Sequence, residues 1–349
     1  MTASIDPELE AMIESLFSRH ASRRDDPSAE SDVPLWATLE ELGLTRLTAP
    51  EDDDGSGATW REAAALLSAM AYHDVQLPIA EHDLLAGWLL QRAGLDMPPG
   101  ITTAAVAADN RLLGVPFARL AEYVVALRHM NGQWAIATVP ITDLTAYPGA
   151  DVAGRPRDDL SLRPDECWWT SISTSDAAGY AVRHHVSRVA LMCGAMERIV
   201  DLCREHALTR NQFGRPLARF QAVQTMLAEV AAETVLASTA LAVAVDAIAD
   251  GGAPDVLAHR GVVAASTVSQ AATVVIEHAH QIHGAVGTTA EHALHRFSLS
   301  ILAWRAEIGP PRGVDALLGR ALCQEEQDPW AYVLDGRLNP ELLLRPPFR

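Results

Sequence analysis

Along this chain the spacing of apolar residues changes period twice. "PELEAMIESLFSRHA", "PLWATLEELGL", "TWREAAALLSAMAYHD" and "AEHDLLAGWLLQRAG" place apolar residues three or four apart, so residues 1–98 read as an N-terminal helical domain. Thr59 and Glu62 stand at capping-box spacing and start the third of these helices. Near residue 100 the texture becomes short runs of Val, Ile, Ala and Thr, "ITTAAVAA", "AEYVVALR" and "GQWAIATVPI", punctuated by Asn, Gly and Pro, as strands and turns require. "HMNG" before Gln133 predicts a hairpin turn. Residues 99–183 therefore read as a small, reduced β domain, with an irregular edge over 148–166.

The helical period then returns and persists through 184–325. Val189, Met192, Met196, Ile199 and Cys203 are spaced 3, 4, 3, 4, and Phe220, Val223, Leu227, Val230 and Thr234 form a second stripe. The Ala-rich stretch "PDVLAHRGVVAASTVSQAATVVIEHAHQIHG" presents small residues that let helices approach closely, which predicts an antiparallel C-terminal four-helix bundle. Residues 326–349, rich in Pro, read as an extended tail that can wrap a neighbour. The fold class expected is mainly α with a small β domain.

Composition limits what such a chain can do. With 27 Lys and Arg against 45 Asp and Glu, the net charge of −18 and the lack of a basic stripe exclude nucleic acid as a partner. No apolar run reaches the length of a membrane span before a charge or His interrupts it, so no membrane segment is expected. Cys167, Cys193, Cys203 and Cys323 form no CxxC pair and follow no secretory signal, which predicts free thiols in a cytoplasmic setting. His278, His280 and His283 do not share one helix face and no Cys or carboxylate completes a ligand set, so no metal site is expected from them. GxSxG, Walker A and GxGxxG signatures are absent.

Against this acidic background, "RNQFGRPLARF" sets Arg210, Arg215 and Arg219 within ten positions. Arg210 reads either as a cation complementing a helix C-terminus, or as one half of an anion site whose other half is the next helix N-terminus. The wider segment 188–230, "RVALMCGAMERIVDLCREHALTRNQFGRPLARFQAVQTMLAEV", resembles the acyl-CoA dehydrogenase family around its R-x-x-F-G and F-Q-x-x-Q motifs. Residues 281–297, "QIHGAVGTTAEHALHRF", are similar to that family's Q-x-x-G-G-x-G segment, and "GVPFARLAEYVVAL" to part of its β domain.

The resemblance implies an acyl-CoA dehydrogenase-like fold and FAD held across a subunit interface. It places Arg210, Gln212, Phe213 and Gln221 toward the FAD pyrophosphate, and Gln281, Ile282, His283, Gly284 and Ala285 toward its adenosine part. A guanidinium fork and helix-start amides suit a pyrophosphate, while amide side chains bond sugar and base edges without adding charge. Ala285 replaces the second glycine of the family pair.

The resemblance also has gaps. The family's T-E-P-x-x-G-S-D and W-I-T/S stretches are missing, and the corresponding region is compressed to "ITTAAVAADNRLLGVPF". One family position for the catalytic carboxylate falls on "AWRAEIGPP", where Glu307 lacks the usual context; the other, twenty-six residues before Arg210, falls on His184. Glu197 lies only thirteen residues before Arg210, and Glu291 adjoins the second block; both read as structural, so no catalytic residue is assigned. The chain thus looks like the less complete subunit of the heterotetrameric acyl-CoA dehydrogenases of actinobacterial steroid catabolism, inactive alone. A more complete partner would supply the base and most acyl-CoA contacts, and an electron-transfer flavoprotein would take the electrons. Two other readings stay open: a self-sufficient homodimeric acyl-CoA dehydrogenase, and a non-catalytic interaction subunit on the same scaffold.

Overall fold

The computed structural model describes residues 5–23, 29–324 and 328–344. Four helices open the chain: α1 (Pro7–Ala21), α2 (Ala29–Glu41), α3 (Trp60–Tyr72) and α4 (Trp88–Ala93), the last preceded by a π-helical stretch, Ala80–Gly87. The capping box forms as expected: Thr59 Oγ1 accepts the Arg61 N–H, and the Glu62 carboxylate accepts the Thr59 N–H at 2.8 Å.

Seven strands follow: β1 (Thr102–Ala108), β2 (Arg111–Pro116), β3 (Tyr123–Met130), β4 (Gln133–Pro140), β5 (Thr145–Tyr147), β6 (Arg157–Ser161) and β7 (Thr170–Ile172). They form one sheet in the order β5-β6-β2-β1-β3-β4-β7, antiparallel except for the β1–β3 pair. Asn131 and Gly132, both at positive φ, make the predicted hairpin turn, and Met130 pairs with Gln133. One set of strand side chains, including Ala104, Val125, Leu127 and Ile136, packs on Leu85, Leu89 and Tyr180 of the helices. The alternate set, including Val124, Ala126 and Val139, forms a second core with Leu112, Val115 and Leu160.

Helix α5 (Thr174–Thr209) begins ten residues before the expected domain boundary at 184. Ser173 caps it by accepting the Asp176 N–H at 3.0 Å, a signal that the weak apolar stripe of "TSDAAGYAVR" conceals. Its predicted stripe, Val189, Met192, Met196, Ile199 and Cys203, is wholly buried. Two two-residue strands, β8 (Asn211–Gln212) and β9 (Arg215–Pro216), precede α6 (Gln221–Ala249), α7 (Pro254–His283), α8 (Leu294–Ile308) and α9 (Pro311–Gln324). At the crossing of α3 and α5, a Cβ added to Gly194 would meet the Ser68 carbonyl oxygen at 2.0 Å, so only glycine permits this approach.

By length and composition α6 could cross a membrane, because its only charged residues are Glu229, Glu233 and Asp246. It packs instead as a bundle helix, burying Val230, Ala237, Leu241, Ala244 and Val245 while Val235, Leu236 and Val243 face outward.

The expectation of an extended tail is corrected by the structure. Asp328 caps and Pro329 starts a short helix α10 (Pro329–Asp335), and the chain then docks back on α7. Leu338 N–H donates to the Asp255 carbonyl at 3.0 Å, Arg337 pairs with the Asp255 carboxylate at 2.9 Å, and Leu338 and Leu343 are buried. Proline here initiates a turn of helix rather than freeing the segment.

Candidate functional site

The arginine loop is a projecting hairpin. α5 ends at Thr209, Arg210 caps it through its N–H to the His206 carbonyl, and Gln212 pairs with Arg215 across a turn made by Phe213 and Gly214. Both turn residues have positive φ, 52° and 78°. That is routine for Gly214 and strained for a phenylalanine. Phe213 is also 91% exposed, so neither its backbone nor its side chain is stabilised by burial in this chain.

Beyond the hairpin, α6 starts at Gln221 without a side-chain N-cap, which leaves first-turn N–H groups unclaimed at the positive end of a 29-residue helix. Arg210 and Gln221 are exposed, and among the described residues no carboxylate pairs with Arg210. A guanidinium without a counter-charge in the loop leading to an uncapped helix start suits a diphosphate.

The second block lies at the same end of the bundle, because His206, one turn before Arg210, stacks on His283 with ring centroids 4.4 Å apart. α7 ends at His283, and Gly284 continues at φ 62°, ψ −148°, a conformation essentially reserved for glycine. Gln281, Gly284 and Ala285 face solvent, whereas the Ile282 side chain belongs to the core and His283 is 5% exposed. The Cβ of Ala285 therefore sits on the surface of this segment.

The two positions at which the resemblance expects the family base, His184 and Glu307, come together elsewhere in the fold. No carboxylate neighbours His184 in sequence, but the fold brings one: Glu307 Oε2 lies 3.7 Å from His184 Nε2. Glu307 is not free. Arg188 Nε donates to Oε2 at 2.7 Å, and Arg157 donates to Oε1. Arg188, 1% exposed, also donates to Glu81 Oε1 at 2.7 Å, and Arg157 and Arg155 both reach Asp151.

Burial alone would raise the Glu307 pKa, but Arg157 and Arg188, with His184, hold it well below the ordinary value. Burial would likewise lower Arg188, and Glu307 and Glu81 reverse that. His184 is held low, by burial first and by Arg188 second. Arg155 packs over the Trp304 ring at 4.8 Å. What remains open is a cleft of about 60 Å³ lined by Met70, Leu77, Phe117, Arg155, Arg157 and Trp304 among others.

Arg188, Glu81 and Arg157 were not singled out by sequence reasoning. The available signal was Arg188 itself, one turn from His184 and from Met192 on the buried flank of α5, where an unpaired cation would be prohibitive. Its two partners come from 107 residues upstream and 119 downstream, which no local pattern reveals.

The models of the acyl-CoA dehydrogenase N-terminal and C-terminal domains match residues 6–97 and 183–310. The chain belongs to the acyl-CoA dehydrogenase family. It is 25% identical to the acyl-CoA dehydrogenase FadE27 of Mycobacterium tuberculosis over 347 residues, covering 87% of this chain and 92% of that one. It is 28% identical to the acyl-CoA dehydrogenase IpdE2 of Mycolicibacterium smegmatis over 315 residues, covering 87% and 94%. Among solved structures, the ChsE4-ChsE5 complex of Mycobacterium tuberculosis contains a chain of the same fold, with a TM-score of 0.81, 20% identity, and coverage of 94% of this chain and 100% of that one.

Acyl-CoA dehydrogenase membership implies FAD as the cofactor. The hairpin and the uncapped start of α6 fit its pyrophosphate. The cleft beside Arg157, at about 60 Å³, is too small to hold the flavin by itself, since sites for ligands of that size run to about 300–1,000 Å³.

Proposed function

We propose that this chain is the accessory subunit of a heteromeric, FAD-dependent acyl-CoA dehydrogenase that desaturates an acyl-CoA thioester between Cα and Cβ. The observation that carries this reading is the ion-pair network Glu81–Arg188–Glu307–Arg157, which occupies the point where the family's base positions converge and leaves only about 60 Å³ beside it. A carboxylate held low by two guanidinium groups is a weak base, so Glu307 is poorly suited to take the acyl α-proton. In the proposed assembly the partner supplies that base and the acyl-CoA contacts. Arg210 and the first turn of α6 would hold the FAD, whose isoalloxazine would supply the hydride-accepting chemistry.

This chain's share is to hold the pyrophosphate with Arg210 and the first turn of α6, to set Gln212, Phe213 and Gln221 around it, and to present Gln281, Gly284 and Ala285 to the adenosine. The exposed Phe213 and the outward apolar flank of α6 support a partner surface. The ChsE4-ChsE5 complex joins two unlike chains, and the Tcur3481-Tcur3483 steroid ACAD has the same fold. These support an unlike partner subunit and a steroid-derived CoA thioester as substrate; we further propose a heterotetrameric assembly, a cytoplasmic setting and an electron-transfer flavoprotein as acceptor.

The test is desaturation of a steroid-derived acyl-CoA by the complex of this chain with a more complete subunit. Arg210→Ala is expected to strip flavin and activity from the complex, while Glu307→Gln leaves turnover largely intact. Turnover by the isolated chain that Glu307→Gln abolishes would establish the self-sufficient homodimer instead. Full flavin retention and activity in the Arg210→Ala complex would leave only an interaction subunit.

A further inference from the structure

Three histidines from three parts of the fold meet at one end of the bundle: His206 in the last turn of α5, His283 at the end of α7, and His292 just before α8. Ring centroids of His206 and His292 lie 4.4 and 4.6 Å from that of His283, and one ring nitrogen from each lies within 4.8 Å of the others. We propose that His206, His283 and His292 form a binding site for a divalent transition-metal cation of zinc-like preference.

The chemistry of the three rings supports this. His283 Nδ1 lies 2.8 Å from the Ala279 carbonyl and donates to it, which fixes the tautomer with the Nε2 lone pair free. That Nε2 is buried and makes no hydrogen bond of good geometry, although the Leu202 backbone also acts on the ring, and a buried ring nitrogen is seldom left so without a ligand. Neutral imidazoles are the form that binds zinc, and three of them leave a fourth position for water. His206 and His292 are half-buried, so that position opens to solvent.

Charges around the cluster act in opposite directions, with Arg210 disfavouring a cation at His206 and Glu205 favouring one at His292. His292 Nδ1 accepts the Leu294 N–H at 3.1 Å. Ligation through Nε2 moves the ring proton to Nδ1 and takes the acceptor from the amide of buried Leu294, a cost that the metal bond must exceed. Metal–nitrogen bonds of about 2.0–2.1 Å require ligand atoms closer together than they stand here, so the two half-buried rings turn inward on binding. The sequence pattern hid the site because it points to His278 and His280, whereas the fold joins His283 to residues on two other elements.

The site needs neither flavin nor a partner, so its failure is separable from failure of the proposed function. The test uses the tag-free full chain, stripped with chelator and titrated with Co²⁺ as the probe. The expected result is stoichiometric binding with the visible bands of four-coordinate Co²⁺, displaced by Zn²⁺, lost in His206→Gln and in His292→Gln, and retained in His278→Gln. Both variants alter rim side chains, and the metal-free thermal melt checks that each is folded. A spectrum of hexa-aquo type in the wild type, or binding that survives in both variants, overturns the proposal.

Discussion

Replacing Arg188 with methionine tests whether the cleft is closed by a buried ion network. The guanidinium is 1% exposed and is shared between Glu81, whose side chain is 4% exposed, and Glu307 at 21%. In Arg188→Met, Glu307 keeps Arg157, but Glu81 loses its 2.7 Å partner and remains buried. Removing one member of such a pair costs about 3–5 kcal/mol, most of it here from Glu81. Replacing the stranded charge as well, in Arg188→Met/Glu81→Gln, should recover more than half of that loss, because neutral groups of similar volume need no counter-charge. Urea unfolding midpoints compared at a common slope measure both quantities. A single-variant deficit below about 1 kcal/mol, or no recovery in the double variant, would show that water reaches the network and that the cleft is not sealed.

Other perturbations probe separate parts of the account. His82 is buried, its Nδ1 accepts the Thr102 N–H, and burial lowers it to about 4. The unfolded chain therefore binds a proton that the native state refuses between about pH 6.5 and 4, and stability falls with pH across that window. His82→Gln should flatten the wild-type slope by about 1.4 kcal/mol per pH unit there, measured by urea unfolding at several pH values. Gly194→Ala should destabilise the chain by about 1–3 kcal/mol, since its Cβ would strike the Ser68 backbone; an unchanged melting temperature would refute the close α3–α5 crossing. Phe213→Gly should leave the isolated chain as stable or about 1 kcal/mol more so, by relieving the positive φ, yet weaken its association with a partner. Weakened folding with unchanged association would reverse that reading.

Periodicity in the sequence located the N-terminal helices, the strand texture of 102–140 and the buried stripe of α5, because each follows from a local rule: 3.6 for a helix, alternation for a strand. The start of α5 escaped it, since Ala177, Ala178 and Tyr180 are buried by a sheet whose position is set by tertiary packing. The tail escaped it because proline composition does not distinguish a free strand from a capped helix start. That Arg210, Gln212, Phe213 and Gln221 fall close together was legible, because they lie within twelve residues on one hairpin and the helix start after it. Arg188 and the three-histidine cluster were not, since the partners of Arg188 lie more than 100 residues away and His206 lies 77 residues before His283.

The most direct measurement is the flavin-to-protein ratio and native mass of the purified chain, alone and co-expressed with a more complete acyl-CoA dehydrogenase subunit. The account predicts little flavin on the chain alone, and one FAD per unlike pair in the complex. One FAD per subunit on the isolated chain, with desaturation of an acyl-CoA, would contradict it.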